Sequence, residues 1–500
     1  MTLRTRLVAL SASLAVVLGL VSGSPVAAAP DDARGALRTA VAFPERTVVD
    51  ARGNTLLADR HGRAMQLRGT NLGKFDDITE ADVAMMADAG FTVLRLPIQW
   101  RKLEPAQGRY DAQYLQAIRN VLDWSHEHGL LVMVDWHQDV FGPAFGFDGI
   151  PAWATRDDGI PFEPIPGNWF YNYFHPAVQA AFHHLFNDAD LVQAQTRTWT
   201  YLAKKLSGHP ALLGYDLFNE PMGQISFEDL EDPEVMAGKA LAFEAGDLAA
   251  MYERLIAGIR TVDSRSWLWV EPTVIVGEGV PTALPAFDDP RRGADRIGYA
   301  PHAYSTSVED GDDWDPDSGF VEAYEAAITA YPRENRMPVL VGEWGPIGAG
   351  PSYPGNVALT TRQADSFARF ASGWMIWYGC RSANGGGYCV FDDEGRLDPG
   401  RAGAWSPYAL LLDGTPVSES YEQGRYVLRF RPERGVQRSQ LVVPSGFGDR
   451  VTVSVRDARG RLAPVVAHVS RASRTGARTV TLLGLERRAG VSYEVTVQSR

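Results

Sequence analysis

Residues 130–139 read LLVMVDWHQD, residues 212–221 read LLGYDLFNEP, and residues 338–345 read PVLVGEWG. Each is a short apolar run that ends on polar or acidic groups. Runs of this length bounded by turn residues are buried strands. Working outward, five more runs have the same texture: 66–72 (QLRGTNL), 92–98 (TVLRLPI), 267–272 (WLWVEP), 297–304 (IGYAPHAY) and 373–379 (GWMIWYG). Helical patterns lie between them near 79–89, 112–128, 177–206, 241–262, 321–331 and 360–371. Eight strands alternating with helices predict an α/β fold, a (β/α)8 TIM barrel. An open doubly wound sheet is the other arrangement of such a pattern. No G-x-G-x-x-G follows the first strand, so its dinucleotide-binding form has no support.

After about residue 415 helices give way to short alternating strands: 425–430, 440–443, 450–455, 464–469, 478–483 and 492–497. They predict a C-terminal antiparallel β-sandwich over 415–500. It either binds sugar or a surface, or simply packs on the barrel. Residues 421–500 hold 15 Arg, no Lys and 6 acidic residues, a charge of +9. The whole chain of 500 residues carries −13, so the other 420 carry −13 − 9 = −22. Two separately built regions are expected, with no nucleic acid partner. With 45 % hydrophobic and 22 % charged residues, the chain is neither disordered nor a multi-span membrane protein.

Arg4 and Arg6 precede an apolar run from Leu7 to Val21, and Ala27-Ala28-Ala29 offers a small-residue cleavage site. Residues 1–29 are therefore expected to be a signal peptide, residues 30–414 the barrel, and the protein secreted. Cys380 and Cys389 are the only cysteines, and in an exported chain they are expected to pair as a disulfide. Two cysteines with no histidine pair at metal spacing beside them imply no zinc site.

Reactive groups in a barrel sit where strands end. Arg95, His137, Asp139, Asn219, Glu220, His302, Tyr304, Glu343 and Trp377 all fall at such ends. Alternation along a strand places Asp135, His137 and Asp139 on one side, and Asp216, Phe218 and Glu220 on one side. Two facing carboxylates suit glycoside hydrolysis, in which one donates a proton and the other attacks the anomeric carbon. Arg95 and the Tyr304 hydroxyl would favour the charged form of Glu343. Asn219 is a candidate for holding a sugar 2-hydroxyl. Trp377 is a candidate platform for the sugar ring, or else a packing residue.

The set LRGTNLG, VLRLPIQW, VDWHQD, LFNEP, PHAYS, VGEWG and MIWY resembles glycoside hydrolase family 5 over residues 50–400. The resemblance implies Glu220 as general acid/base and Glu343 as nucleophile. Arg95, His137, Asn219, His302, Tyr304 and Trp377 then become supporting residues, with no cofactor or metal. DWHQDVFG and the appended sandwich look most like endoglycoceramidases, including the endogalactosylceramidase subgroup. That likeness implies cleavage between glycan and ceramide in glycosphingolipids. It assigns Asp139 and Lys74 to the sugar next to ceramide. A monomer is expected, meeting its substrate at a micelle or membrane surface. A β-glucanase or β-mannanase of the same family, or an inactive glycan-binding protein, are the other readings. Residues 140–175 form an insert far longer than the usual βα loop and rich in aromatic rings. The rings either shape a lipid contact or pack the insert onto the barrel.

Overall fold

The computed structural model describes residues 40–500 apart from 75–76, 382–386, 423, 434, 436–437, 449 and 488–490. The expected signal peptide lies outside the described residues. Seven parallel strands form one sheet: Leu67–Asn71, Val93–Ile98, Leu131–Trp136, Leu212–Asp216, Trp267–Val270, Ile297–Tyr299 and Gly373–Ile376. Its order places the last strand beside the first. Residues 338–344 close the ring through single parallel bridges, Tyr299 to Val339, Ala303 to Trp344, and Val341 to Trp374. This is the (β/α)8 barrel read from the sequence, with its seventh strand reduced to bridges.

The helices follow their start signals. Thr79 caps Glu80–Ala89 in a capping box with Asp82, and Asp111 caps Ala112–Glu127. The single helix expected over 177–206 is two, Pro176–Asn187 and Ala189–Leu206. Asp188 breaks them apart by adopting an extended conformation. Its carboxylate binds Arg156 and His184 instead of continuing a helix.

The sandwich has a four-stranded and a seven-stranded sheet. The seven-stranded sheet takes strands from both sides of the 414/415 boundary expected from sequence. Arg46–Val49, Thr55–Ala58, Ala64–Met65 and Tyr408–Leu412 join the C-terminal strands in it. One face of this sheet packs under the barrel. Met65, Tyr408, Leu411 and Val442 meet Leu67, Val93, Leu131, Met133, Trp267 and Trp269 in one buried cluster. The N-terminal end of the barrel is thereby plugged, and substrate access is confined to the other end.

Candidate active site

Arg95 is fully buried at the barrel axis and organises the site. Its Nε donates to Asp216 Oδ2 (2.9 Å), and its Nη2 donates to Asn219 Oδ1 (2.8 Å) and Glu271 Oε1 (2.8 Å). Nη2 also lies 3.0 Å from Asp135 Oδ1, and Nη1 donates to Asn71 Oδ1 (3.1 Å) and to Glu343 Oε1. One guanidinium fork thus serves four carboxyl groups and two amides, a task that needs five fixed donors. Burial, then the neighbouring Glu271 carboxylate, push the Asp216 carboxyl well up, which lowers the number of charges Arg95 must balance. Replacing Arg95 by Met removes the one side chain that bonds all of this set at once. A loss of about 3–5 kcal/mol is expected, because the carboxylates stay buried without their partner. A thermal midpoint equal to wild type would contradict that role.

Glu343 is buried at 5 % exposure, and both its oxygens accept hydrogen bonds, Oε1 from Arg95 and Oε2 from the Tyr304 hydroxyl (3.0 Å). Burial pushes its carboxyl up, while His302 and Arg95 oppose that shift. Two donors aimed at two oxygens fit the carboxylate, which can only accept. Across from it, Glu220 Oε1 lies 2.9 Å from His302 Nδ1, so a proton is shared between them. His302 Nε2 is 3.3 Å from Glu271 Oε1. Burial alone would lower the His302 pKa, but Glu271 and Glu343 raise it well above the ordinary value. An oxygen of Glu220 and an oxygen of Glu343 lie within 4.8 Å of each other. Pairs of retaining glycosidases stand roughly 5–5.5 Å apart, against roughly 6.5–9.5 Å where a water must fit between.

The fourth strand departs from the alternation expected of it. It ends at Asp216, and Leu217 and Phe218 both bury in the outer core. Glu220 then takes a left-handed conformation, φ 45°. A non-glycine residue there is strained and must be held by its surroundings. Glu271 Oε2 holds it by accepting the Glu220 N–H (2.9 Å), and Gln138 Nε2 donates to the Asn219 and Glu220 carbonyls (3.0 and 3.1 Å). The turn brings the consecutive side chains Asn219 and Glu220 both into the site.

The third strand supplies one wall. His137 Nδ1 meets Asp135 Oδ2 at 2.7 Å, and His137 Nε2 lies 3.4 Å from the Lys74 ammonium. Burial would lower the His137 pKa, but Asp135 and Asp139 lift it to about 9. Lys74 and Asp139 form an ion pair at 2.5 Å. Burial opposes the charge on Asp139, and Lys74 and His137 outweigh it, holding the carboxyl well below the carboxylate range. The Trp377 ring lies parallel to the His137 ring, centroids 5.9 Å apart, and Lys74 Nζ is 5.0 Å from its centroid. Lys74, His137, Asp139 and Trp377 therefore form one surface.

All ten expected site residues meet at the C-terminal end of the barrel. Cys380 and Cys389 are disulfide-bonded, with Cα atoms 4.7 Å apart. Sequence reasoning missed Glu271, Asn71 and the site-facing part of Gln138. Glu271 had a readable signal, since it directly follows the run WLWV. Among the described residues, three groups of acidic and histidine side chains converge closely enough to hold a metal: Asp135 with His137 and Glu343; Glu220 with His302 and Glu343; Asp135 with Asp216 and Glu271. Arg95 already bonds a member of each, so a positive charge stands where a cation would have to bind.

Most rings of the insert are packing residues. Phe141, Phe145, Tyr173 and Phe174 are buried, and Phe147, Trp153, Phe162 and Phe170 lie half-buried against the same core. Trp169 (48 % exposed) and Tyr171 (39 %) are not, and Phe227 (38 %) extends their patch beside Phe174. Asn168 ties this patch to the loop after the sixth strand through Asp310 (2.8 Å).

The barrel, the paired carboxylates and their donors define a glycoside hydrolase. The chain belongs to the family described as Cellulase (glycosyl hydrolase family 5), whose pattern matches residues 58–380. Its relatives narrow this further. It is 28 % identical over 250 residues to an endoglycoceramidase of Cyanea nozakii, covering 43 % of this chain and 49 % of that protein. It is 28 % identical over 269 residues to endoglycoceramidase I of Rhodococcus hoagii, covering 52 % and 53 %. The chain thus spans about half the length of these curated relatives. Endo-glycoceramidase II from Rhodococcus sp., solved as its ganglioside GM3 complex and as its lactosyl-enzyme intermediate, is 28 % identical with TM-scores of 0.74 and 0.72. Both matches cover 89 % of this chain and 99 % of that one.

Proposed function

We propose that this protein is a secreted, retaining endoglycosidase that hydrolyses the β-glycosidic bond between oligosaccharide and ceramide in glycosphingolipids. The observation that carries the substrate class is the Lys74–Asp139 pair. The two positions that endoglycoceramidases direct at the sugar next to ceramide meet at 2.5 Å, beside Trp377 and the two carboxylates. The relatives solved with GM3 and with a lactosyl group point the same way.

In the first step Glu343 attacks the anomeric carbon while Glu220 protonates the glycosidic oxygen. Ceramide leaves as a neutral alcohol. Glu343 gives up its charge to the new ester bond, and Arg95 remains balanced by its other carboxylates. In the second step Glu220, now ionised, takes a proton from water, and the water attacks the same carbon and frees Glu343. Two inversions return the original β configuration. His302, hydrogen-bonded to Glu220 Oε1, orients that carboxyl in both steps, and Asn219, fixed by Arg95, faces the sugar that both carboxylates flank.

The exposed rings Trp169, Tyr171 and Phe227 suit contact with the lipid of a micelle or membrane. Replacing all three by Ser should raise KM on micellar ganglioside about tenfold or more and leave hydrolysis of a soluble aryl glycoside unchanged. Equal effects on both substrates would count against lipid contact. Export is proposed from the leader-like residues 1–29, and the N-terminal sequence of protein recovered from culture medium tests it. The substrate reading is tested by incubation with gangliosides, galactosylceramide, cellulose and mannan. Release of intact glycan plus ceramide supports it, and cleavage of the polysaccharides alone overturns it.

A further inference from the structure

Behind Tyr304 stands a further, half-buried carboxyl that the steps above do not use. Glu309 ends the short helix Thr306–Glu309 after the sixth strand, and its Oε2 accepts a hydrogen bond from the Tyr388 hydroxyl. Its Oε1 is buried and, among the described residues, has no hydrogen-bond partner. Burial lifts the carboxyl to about 7 against the pull of that one bond. Tyr388 directly precedes Cys389, so it belongs to the loop closed by the disulfide. The residues on either side of Tyr388 are fastened as well. The buried Arg401 donates from Nε to the Cys389 carbonyl (2.9 Å), from Nη2 to the Gly387 carbonyl (2.5 Å), and from Nη1 to the Pro346 carbonyl (3.0 Å).

The Tyr388 ring lies edge-on to the Tyr304 ring, centroids 6.5 Å apart at 79°. Tyr304 in turn donates to Glu343 Oε2 at 3.0 Å. A continuous line therefore runs from Glu309 through Tyr388 and Tyr304 to the attacking carboxylate. The Tyr304 ring stands edge-on to two rings, Tyr388 on one contact and His302 (centroids 6.4 Å) on the other, and both Tyr304 and Tyr388 pack against the cluster of Trp377, Tyr378 and the disulfide.

We propose that Glu309 and Tyr388 are positioning residues for the nucleophile: their hydrogen bond clamps the Tyr388 ring, next to the disulfide cysteine Cys389, against Tyr304 and so fixes the hydroxyl that Tyr304 donates to Glu343. The proposal rests on Glu343 being the nucleophile. Tyr388→Phe keeps the ring and removes the bond, and it leaves the half-buried Glu309 carboxyl without it. Glu309→Gln keeps an acceptor for the hydroxyl, and Glu309→Ala does not.

The test combines steady-state kinetics on an aryl β-glycoside with the rate at which a 2-deoxy-2-fluoro glycoside labels the enzyme, the labelled residue being located by mass spectrometry. Tyr388→Phe and Glu309→Ala should lower kcat and the labelling rate together, by about tenfold, with KM within about twofold of wild type. Glu309→Gln should keep at least about half of both rates. A destabilised but otherwise competent site would instead lose activity in proportion to folded protein, with no rescue by Gln. Label on Glu343 with unchanged rates in Tyr388→Phe and Glu309→Ala overturns the clamp alone. Label on another residue overturns the nucleophile assignment, and the clamp with it.

Discussion

Glu343→Gln is expected to abolish turnover while leaving substrate binding within a few-fold of wild type. The amide has the size of the carboxyl and can still accept from Arg95, so the buried set keeps most of its hydrogen bonds. It cannot form the glycosyl ester, and no second carboxylate is offered in its place. Glu271 is turned away, with Oε1 on Arg95 and Oε2 on the Glu220 N–H. Without covalent catalysis a fall in kcat of roughly four orders of magnitude or more is expected. Calorimetric binding of a ganglioside to the inactive variant checks the second half of the statement. Activity within tenfold of wild type would mean that another group attacks.

The second large effect depends on the leaving group. Glu220→Ala removes the proposed proton donor, and general acids of this kind contribute about 10²- to 10⁴-fold. A ceramide alkoxide cannot leave without that proton, so ganglioside cleavage should fall through the whole of that range. A nitrophenyl glycoside needs no proton to depart. Its first step should survive, and added azide, which attacks without a general base, should restore turnover. Equal losses on the two substrates, with no azide effect, would contradict the acid/base role. Loss of Glu220 also deprives His302 of its Oε1 partner, leaving the Glu271 carboxylate 3.3 Å from Nε2 as its charge contact.

The barrel was legible because its strands are continuous apolar runs that no helix would show at that length. All eight were located, including 338–344, which forms only bridges in the structure. Where the sequence misled, an identifiable force prevailed. Asp188 has two charged partners and ends a helix that periodicity alone would continue. Asn219 and Glu220 point into the same site although they are adjacent, because Glu271 stabilises a left-handed turn that alternation does not contain. The strands Arg46–Val49, Thr55–Ala58 and Ala64–Met65 escaped notice because their sheet continues through Tyr408–Leu412, far away in the chain. The aromatic insert looked uniform in sequence, yet only burial separates Phe141 and Tyr173, which are core, from Trp169 and Tyr171, which face solvent.

The site was legible for a different reason. Its residues are polar groups at the ends of apolar strands, where a structural role alone would not place so many. Glu309 and Tyr388 carry no such signal. They lie in loops, and only the fold brings them to Tyr304.

One measurement bears on the proposed activity most directly. The enzyme is mixed with a ganglioside and the released oligosaccharide is followed by proton NMR before its anomers equilibrate. Intact oligosaccharide that first appears as the β anomer is the expected result. An α anomer as the first product, or no release of glycan from ceramide at all, would contradict it.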